Sequence, residues 1–157
     1  MDAGELYDED FFRALEKSGA RALLIGRRAL IALGAPVMTS DYDLWLHFDD
    51  VEKLNAAFAA FDHHPNHTPD EARRRGRYVL ENGQRIDVMI ARAATTPDSE
   101  RLTFDEAWSG RQRVKIDEGL HANLPSLDHL IVTKRWGSRP RDLVDIEWLT
   151  VLRERTP

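Results

Sequence analysis

The chain has 157 residues and a mass of 18.0 kDa, the usual size of one domain. Hydrophobic residues make up 42% and charged residues 31%, which allows a packed core and argues against a disordered chain. With 22 basic and 27 acidic side chains the net charge is −5, which excludes a general basic coat for nucleic acid or anionic membrane.

In chain order, DEDFFRALEK (8–17) carries apolar Phe11, Phe12 and Leu15 behind a first turn of acids, the spacing of an amphipathic helix. RALLIG (21–26) predicts a short buried strand ending at Gly26, and RRALIAL (27–33) a helix stopped by Gly34 and Pro36. Residues 42–48 alternate: Tyr42, Leu44, Leu46 and Phe48 share one face, and Asp41, Asp43, Trp45 and His47 share the other. VEKLNAAFAAF (51–61) predicts a helix capped by Asp49 or Asp50. A polar loop over 62–76 leads to two strands around Asn82-Gly83, a hairpin signal. In the second of these strands Ile86, Val88 and Ile90 face the core and Asp87 points the other way. A short helix is expected at 103–109, a strand at 111–117, and two helices at 126–136 and 140–154, separated by Gly137-Ser138-Arg139-Pro140. The order predicts an α+β fold, a small mixed β-sheet flanked by helices with a C-terminal helix pair. A single unit is expected over 1–157, with an N-terminal helix in 1–19, the sheet and its helices in 20–118, and the helix pair in 119–157.

The acidic excess sits in residues 1–50, with ten Asp or Glu against five Lys or Arg, while the remainder balances at seventeen of each. With no cysteine, disulfides, thiol catalysis and thiolate metal sites are excluded. No apolar run approaches the roughly 18–20 residues of a membrane span. The start MDAGELYDEDFF shows neither a basic n-region nor an apolar h-region, so a cytoplasmic location is expected. No GxxxxGK[ST], GxGxxG, GxSxG or HExxH motif occurs.

The segment that carries chemistry is Thr39-Ser40-Asp41-Tyr42-Asp43-Leu44-Trp45. Two Asp residues two apart on a strand point to one side, their Cα atoms roughly 6.5–7 Å apart. Like charges so placed repel unless a cation lies between them. Asp87, on the polar face of a second strand, is the candidate third carboxylate. Three such groups suit two divalent ions about 3.5–4 Å apart, an arrangement that orients an attacking hydroxyl and stabilises a leaving oxygen in phosphoryl transfer. Oxygen-only donors select Mg²⁺, with Mn²⁺ as the alternative. An EF-hand is excluded because the sixth position from Asp41 is Leu46 rather than Gly. Upstream, the order strand, Gly26, helix offers backbone N–H groups to a phosphate, with Arg27 and Arg28 beside them.

Together these residues resemble the nucleotidyltransferase superfamily of the DNA polymerase β type. Its signature is a hydrophobic strand, Gly-Gly or Gly-Ser at a helix start, an Asp-x-Asp strand and a later Asp on a neighbouring strand. Here these are LLIGR (23–27), DYDLWL (41–46) after thirteen intervening residues, and RIDVMI (85–90). SLDHLIVTKRWGSRPRDLVDIEWL (126–149) is similar to the C-terminal helices of small bacterial nucleotidyltransferases, including abortive-infection toxins and antibiotic adenylyltransferases, with Lys134, Arg141, Asp142 and Asp145 at the recurring positions. The resemblance covers residues 20–150 and implies a Mg²⁺-dependent transfer of a nucleoside monophosphate from a nucleoside triphosphate, ATP above all, to a hydroxyl of a small molecule, protein or RNA. It implies that Asp41 and Asp43 bind metal and triphosphate, and that Asp87 completes the metal site and helps deprotonate the acceptor. It further implies nucleotide contacts by Gly26, Ser40 and Lys134, with Arg27 or Arg28 taking over phosphate binding. The chain departs from the signature at Arg27, which stands where the family keeps a second small residue.

A second reading is therefore carried forward, a catalytically degenerate member of the same fold that binds a partner protein. A DxD glycosyltransferase is disfavoured by length. His63, His64 and His67 are weighed as a zinc site and set aside, because a loop interrupted by Pro65 rarely lets adjacent His residues chelate one ion. Arg73, Arg74, Arg75 and Arg77 read either as a solvated run or as a clamp for a phosphate-bearing acceptor. Asp142 and Asp145 read on their own as first-turn helix acids. Trp108, Trp136 and Trp148 read as packing residues, and Trp45 as a border of the site. Oligomeric state, acceptor and membership of a toxin–antitoxin pair are left open.

Overall fold

The computed structural model describes residues 8–137 and 139–156. Residues 1–7 of the expected N-terminal segment and Ser138 of the expected interhelix break lie outside the described residues. Helix α1 (Asp8–Ser18) is followed by strand β1 (Ala22–Ile25), helix α2 (Gly26–Ala32), strand β2 (Tyr42–Leu46) and helix α3 (Val51–Ala59). Next come β3 (His64–Pro65), α4 (Pro69–Arg75) and the hairpin of β4 (Arg77–Asn82) and β5 (Gln84–Met89). β6 (Ala93–Thr95) pairs with β7 (Arg101–Thr103), α5 (Phe104–Ser109) follows, and β8 (Gln112–Asp117) pairs with β9 (Leu120–Leu124). Helices α6 (Leu127–Arg135) and α7 (Pro140–Arg155) complete the order.

The main sheet runs β1-β2-β5-β4-β3. Only β2 and β5 are parallel, with antiparallel pairs on either side of them. A mixed sheet of this kind needs a crossover between its parallel strands, and α3, β3, α4 and β4 supply it. Alternation along β2 and β5 places Tyr42, Leu44, Leu46, Ile86 and Val88 on one face, all buried. Helices α1 and α3 cover that face, where the Phe11 ring stacks on Tyr42 at 3.8 Å between centroids and meets Phe58 at 5.4 Å. Burying this set pins the register, because a slip of one residue would move it into water.

The opposite face is only partly covered. Leu23, Trp45, Leu102, Phe104 and Ala107 form a second buried cluster there, joined by Trp108, Val132 and Trp136. Trp45 is fully buried, donates from Nε1 to the Ala91 carbonyl at 2.9 Å and meets Phe104 and Trp136 edge-on. The expectation that Trp45 borders an open site is therefore corrected: apolar packing closes this face one step beyond Asp43.

Two further expectations change. Asp50 holds the N-cap position of α3 but makes no side-chain cap bond; its carboxylate instead accepts from the Arg21 backbone N–H at 2.8 Å and from the Arg21 guanidinium at 2.9 and 3.0 Å. Residues 62–76 are not a plain loop, since they contain β3 and α4. Thr68 caps α4 by accepting from the Glu71 N–H, Pro69 opens it, and Gly76 ends it at φ 78°. Among the described residues, no helix is long and apolar enough to cross a membrane.

Candidate active site

The site is built where β2 and β5 run parallel. Their register sets Asp43 directly beside Asp87, as it sets Tyr42 beside Ile86 and Leu44 beside Val88. Neighbouring strands lie about 4.8 Å apart, so the two carboxylates project side by side from the face that α1 and α3 leave free. Asp43 is partly buried, and its pKa is raised to about 6, first by burial and then by the charges of Asp87 and Asp41, with Lys134 and Arg139 pulling the other way.

Gly26 explains how Asp43 fits. It sits at φ 70°, a conformation that L side chains rarely adopt, and a Cβ there would run into the Asp43 carboxylate. The glycine therefore serves the aspartate directly, a role the sequence alone did not suggest. Asp41 lies just before β2 and is exposed; its N–H donates to Thr39 Oγ1 at 3.2 Å. Asp87 accepts from Arg85 Nη2 at 2.9 Å. Among the described residues no three His, Asp or Glu side chains converge closely enough to hold a metal ion. Asp43 and Asp87 are thus brought together, while Asp41 acts on Asp43 through its charge. Of the histidines weighed as a zinc site, His63 is fully buried beside the Phe61 carbonyl, whereas His64 is exposed on β3.

The expected phosphate contacts are distributed unevenly. Arg27, at the start of α2, reaches Asp145 on α7, with Nε 3.4 Å from Oδ2. Lys134 on α6 is buried and pairs with the same carboxylate at 2.7 Å, with Asp142 at 4.0 Å. Arg139 binds Asp142 at 3.0 Å. Burial alone would raise the Asp142 carboxyl, but hydrogen bonds from the Arg139 side chain and backbone outweigh it and leave the pKa lowered. Asp142 is a first-turn acid of α7, as expected, and closes a capping box with Arg139, whereas Asp145 lies one turn further on; both are buried, at 2% and 1% exposed. They are the buried anionic half of a network with three cations, of which Lys134 is buried and Arg139 largely exposed, and both Lys134 and Arg139 act on Asp43.

Arg28 is placed elsewhere, with Nη1 2.9 Å from Asp8 and its guanidinium 4.2 Å from the Tyr42 ring centroid. Ser40 is exposed, and its carbonyl accepts from Gln84 Nε2 at 3.2 Å, tying the segment before β2 to the hairpin. A cleft of about 360 Å³ opens beside the carboxylate pair; Ile25, Met89 and Ala91 line it together with Arg75 and Arg77. A larger groove of about 670 Å³ lies between α1 and α3, on the other side of the sheet.

No family model matches this chain, and no curated protein matches it. Among solved structures it is similar to a putative nucleotidyltransferase from Thermotoga maritima, with a TM-score of 0.54 and 14% identity over 96% of this chain and 94% of that one. The mixed sheet with flanking helices is accordingly a nucleotidyltransferase fold.

Proposed function

We propose that this chain is a nucleotidyltransferase that moves a nucleoside monophosphate from a nucleoside triphosphate, ATP as the favoured donor, to an acceptor hydroxyl. The observation that carries this reading is the Asp43–Asp87 pair, set side by side by parallel register on the free face of the sheet. Asp43 is held there at a raised pKa, seated on a glycine that admits nothing larger.

The donor set suits a hard divalent cation such as Mg²⁺ or Mn²⁺. Crowding of Asp43 by two like charges is relieved by added positive charge. Asp43 and Asp87 would hold one ion, since Mg²⁺ usually takes one or two carboxylates and completes its shell with water and substrate phosphate; a second ion would need Asp41 turned inward. When bound, the ion supplies neutralisation of charge on the reacting phosphates.

The chain's own residues do the rest. Asp87 takes the acceptor's proton as the hydroxyl oxygen bonds to the α-phosphorus. The bond from that phosphorus to the bridging oxygen breaks, and pyrophosphate leaves with the electron pair. Lys134 and Arg139 keep positive potential beside Asp43, where a triphosphate would lie. Positioning and charge carry most of the rate in such transfers. Because the donor is a nucleoside triphosphate, we take the reaction to be cytoplasmic. The toxin and antibiotic-adenylyltransferase branches differ in acceptor, so the acceptor decides between them.

Isothermal titration with a nonhydrolysable ATP analogue tests the reading. Saturable binding that needs Mg²⁺ and is lost in Asp43→Asn is the expected outcome. One observation favours the second reading, a partner-binding protein that has lost catalysis: Arg27 replaces a small residue and is engaged by Asp145. Folded wild-type protein that binds no nucleoside triphosphate would select it.

A further inference from the structure

The four arginines of residues 73–77 have unequal fates. Arg73 binds both Glu52 oxygens and the Phe48 carbonyl. Arg74 and Arg75 share Glu71, Arg75 at 2.8 Å. Arg77 has no acidic partner among the described residues, and its side chain is exposed and lines the cleft beside Asp43 and Asp87. Register explains why it points there. Arg77 lies opposite Met89 and Val79 opposite Asp87, so Arg77 is the diagonal neighbour of Asp87 on the same face, within reach of a long side chain. Gly76, at φ 78°, turns the chain between Arg75 and Arg77, and its carbonyl accepts from Ile90 and Ala91 at 2.8 and 3.0 Å. The turn that carries the two arginines is thereby fixed to the end of β5.

Cations therefore flank the carboxylate pair on both sides. On the β1 side stand Arg27, Lys134 and Arg139, held by Asp142 and Asp145. On the β4 side stand Arg75, paired with Glu71, and Arg77, which has no acidic partner among the described residues. Between these flanks the cleft floor is apolar, formed by Ile25, Met89 and Ala91, and its volume of about 360 Å³ falls within the range of small-ligand sites.

We infer that the β4 flank is the acceptor side and that the acceptor is a phosphorylated hydroxyl compound, its phosphate held by Arg77 with Arg75 and its hydroxyl presented to Asp87. This inference rests on the transfer reading above and names the substrate class for it. A guanidinium without an acidic partner at the rim of an apolar cleft matches the fork geometry by which arginine binds phosphate. The phosphate belongs either to a small sugar phosphate or to the end of an RNA strand, and the two share this chemistry.

The test is titration of wild-type protein, with Mg²⁺ and the nonhydrolysable ATP analogue present, by ribose, ribose 5-phosphate and a pentaribonucleotide. At least one phosphorylated probe is expected to bind ten times or more tighter than ribose, and whichever binds better identifies the source. Arg77→Ala is expected to weaken that probe at least tenfold, Arg77→Lys to restore part of the affinity, and both to leave the ATP analogue within twofold. Equal affinity for ribose and both phosphorylated probes, or unchanged probe affinity in Arg77→Ala, overturns the inference. Failure of the ATP analogue to bind wild-type protein overturns the transfer reading instead, and phosphate binding lost in Arg77→Ala would then report an anion site alone.

Discussion

Asp43 is held in the folded protein against its own preference. In an unfolded chain its carboxyl titrates near 3.8, whereas in the fold its pKa is about 6. Between those values the native state binds more protons than the unfolded state, so this group makes stability rise as pH falls from 7 towards 4. At neutral pH the ionised carboxylate therefore costs the fold about 1–3 kcal/mol. With divalent ions removed by EDTA, Asp43→Asn should melt higher than wild type at pH 7, and the gap should close as the pH is lowered through 6 towards 4. Thermal denaturation of both proteins across that range checks this, and a gap independent of pH would show that burial and the neighbouring Asp87 and Asp41 do not strain the group. Gly26 belongs to the same bargain. The motif glycine was legible in the sequence as a turn or phosphate contact, but its steric service to a residue seventeen positions later was not.

The elements best read from the sequence are those with a long period or a strong turn. α1, the β4–β5 hairpin and the helix pair α6 and α7 lie where spacing, Asn82-Gly83 and Pro140 put them. β3, β6 and β7 span only two or three residues, too short for a period of two to show. α4 was legible and missed: Thr68, Pro69, Glu71 and Gly76 are a capping threonine, an opening proline, an acid at the third position of the first turn and a terminating glycine. Its cap gives a direct check. Thr68→Ala should cost about 1 kcal/mol and raise amide exchange in residues 70–76 more than in β5; uniform exchange would mean that packing rather than capping holds the helix. The alternation of β2 shows the opposite limit. It correctly separated Asp43 from Leu44, but it carried no information on the second apolar cluster that closes over Trp45.

At the scale of the molecule, the C-terminal helices are joined to the sheet by charge as well as by packing. Arg27 and Asp145 stand 118 residues apart, and no local pattern announces that they meet. Because Asp145 is almost wholly buried, removing one of its partners leaves an anion without full compensation, which typically costs about 3–5 kcal/mol. Lys134→Ala should accordingly lower the melting temperature by about 10 °C in a domain of this size, and Lys134→Ala combined with Asp145→Asn should recover part of the loss. A double variant that melts no higher than the single one would place the contribution of Lys134 in its aliphatic stem instead. The parallel pairing of β2 with β5 has a consequence for the timing of synthesis. Asp43 waits 44 residues for Asp87, the difference between their positions, and 102 for Asp145. On the ribosome, a chain grown only through its first crossover holds Asp43 with Asp41 but without Asp87, its partner across the parallel pair. The carboxylate pair is therefore assembled late, and Lys134 and Arg139, the cations that offset its charge, come beside Asp43 only once α6 and α7 have docked.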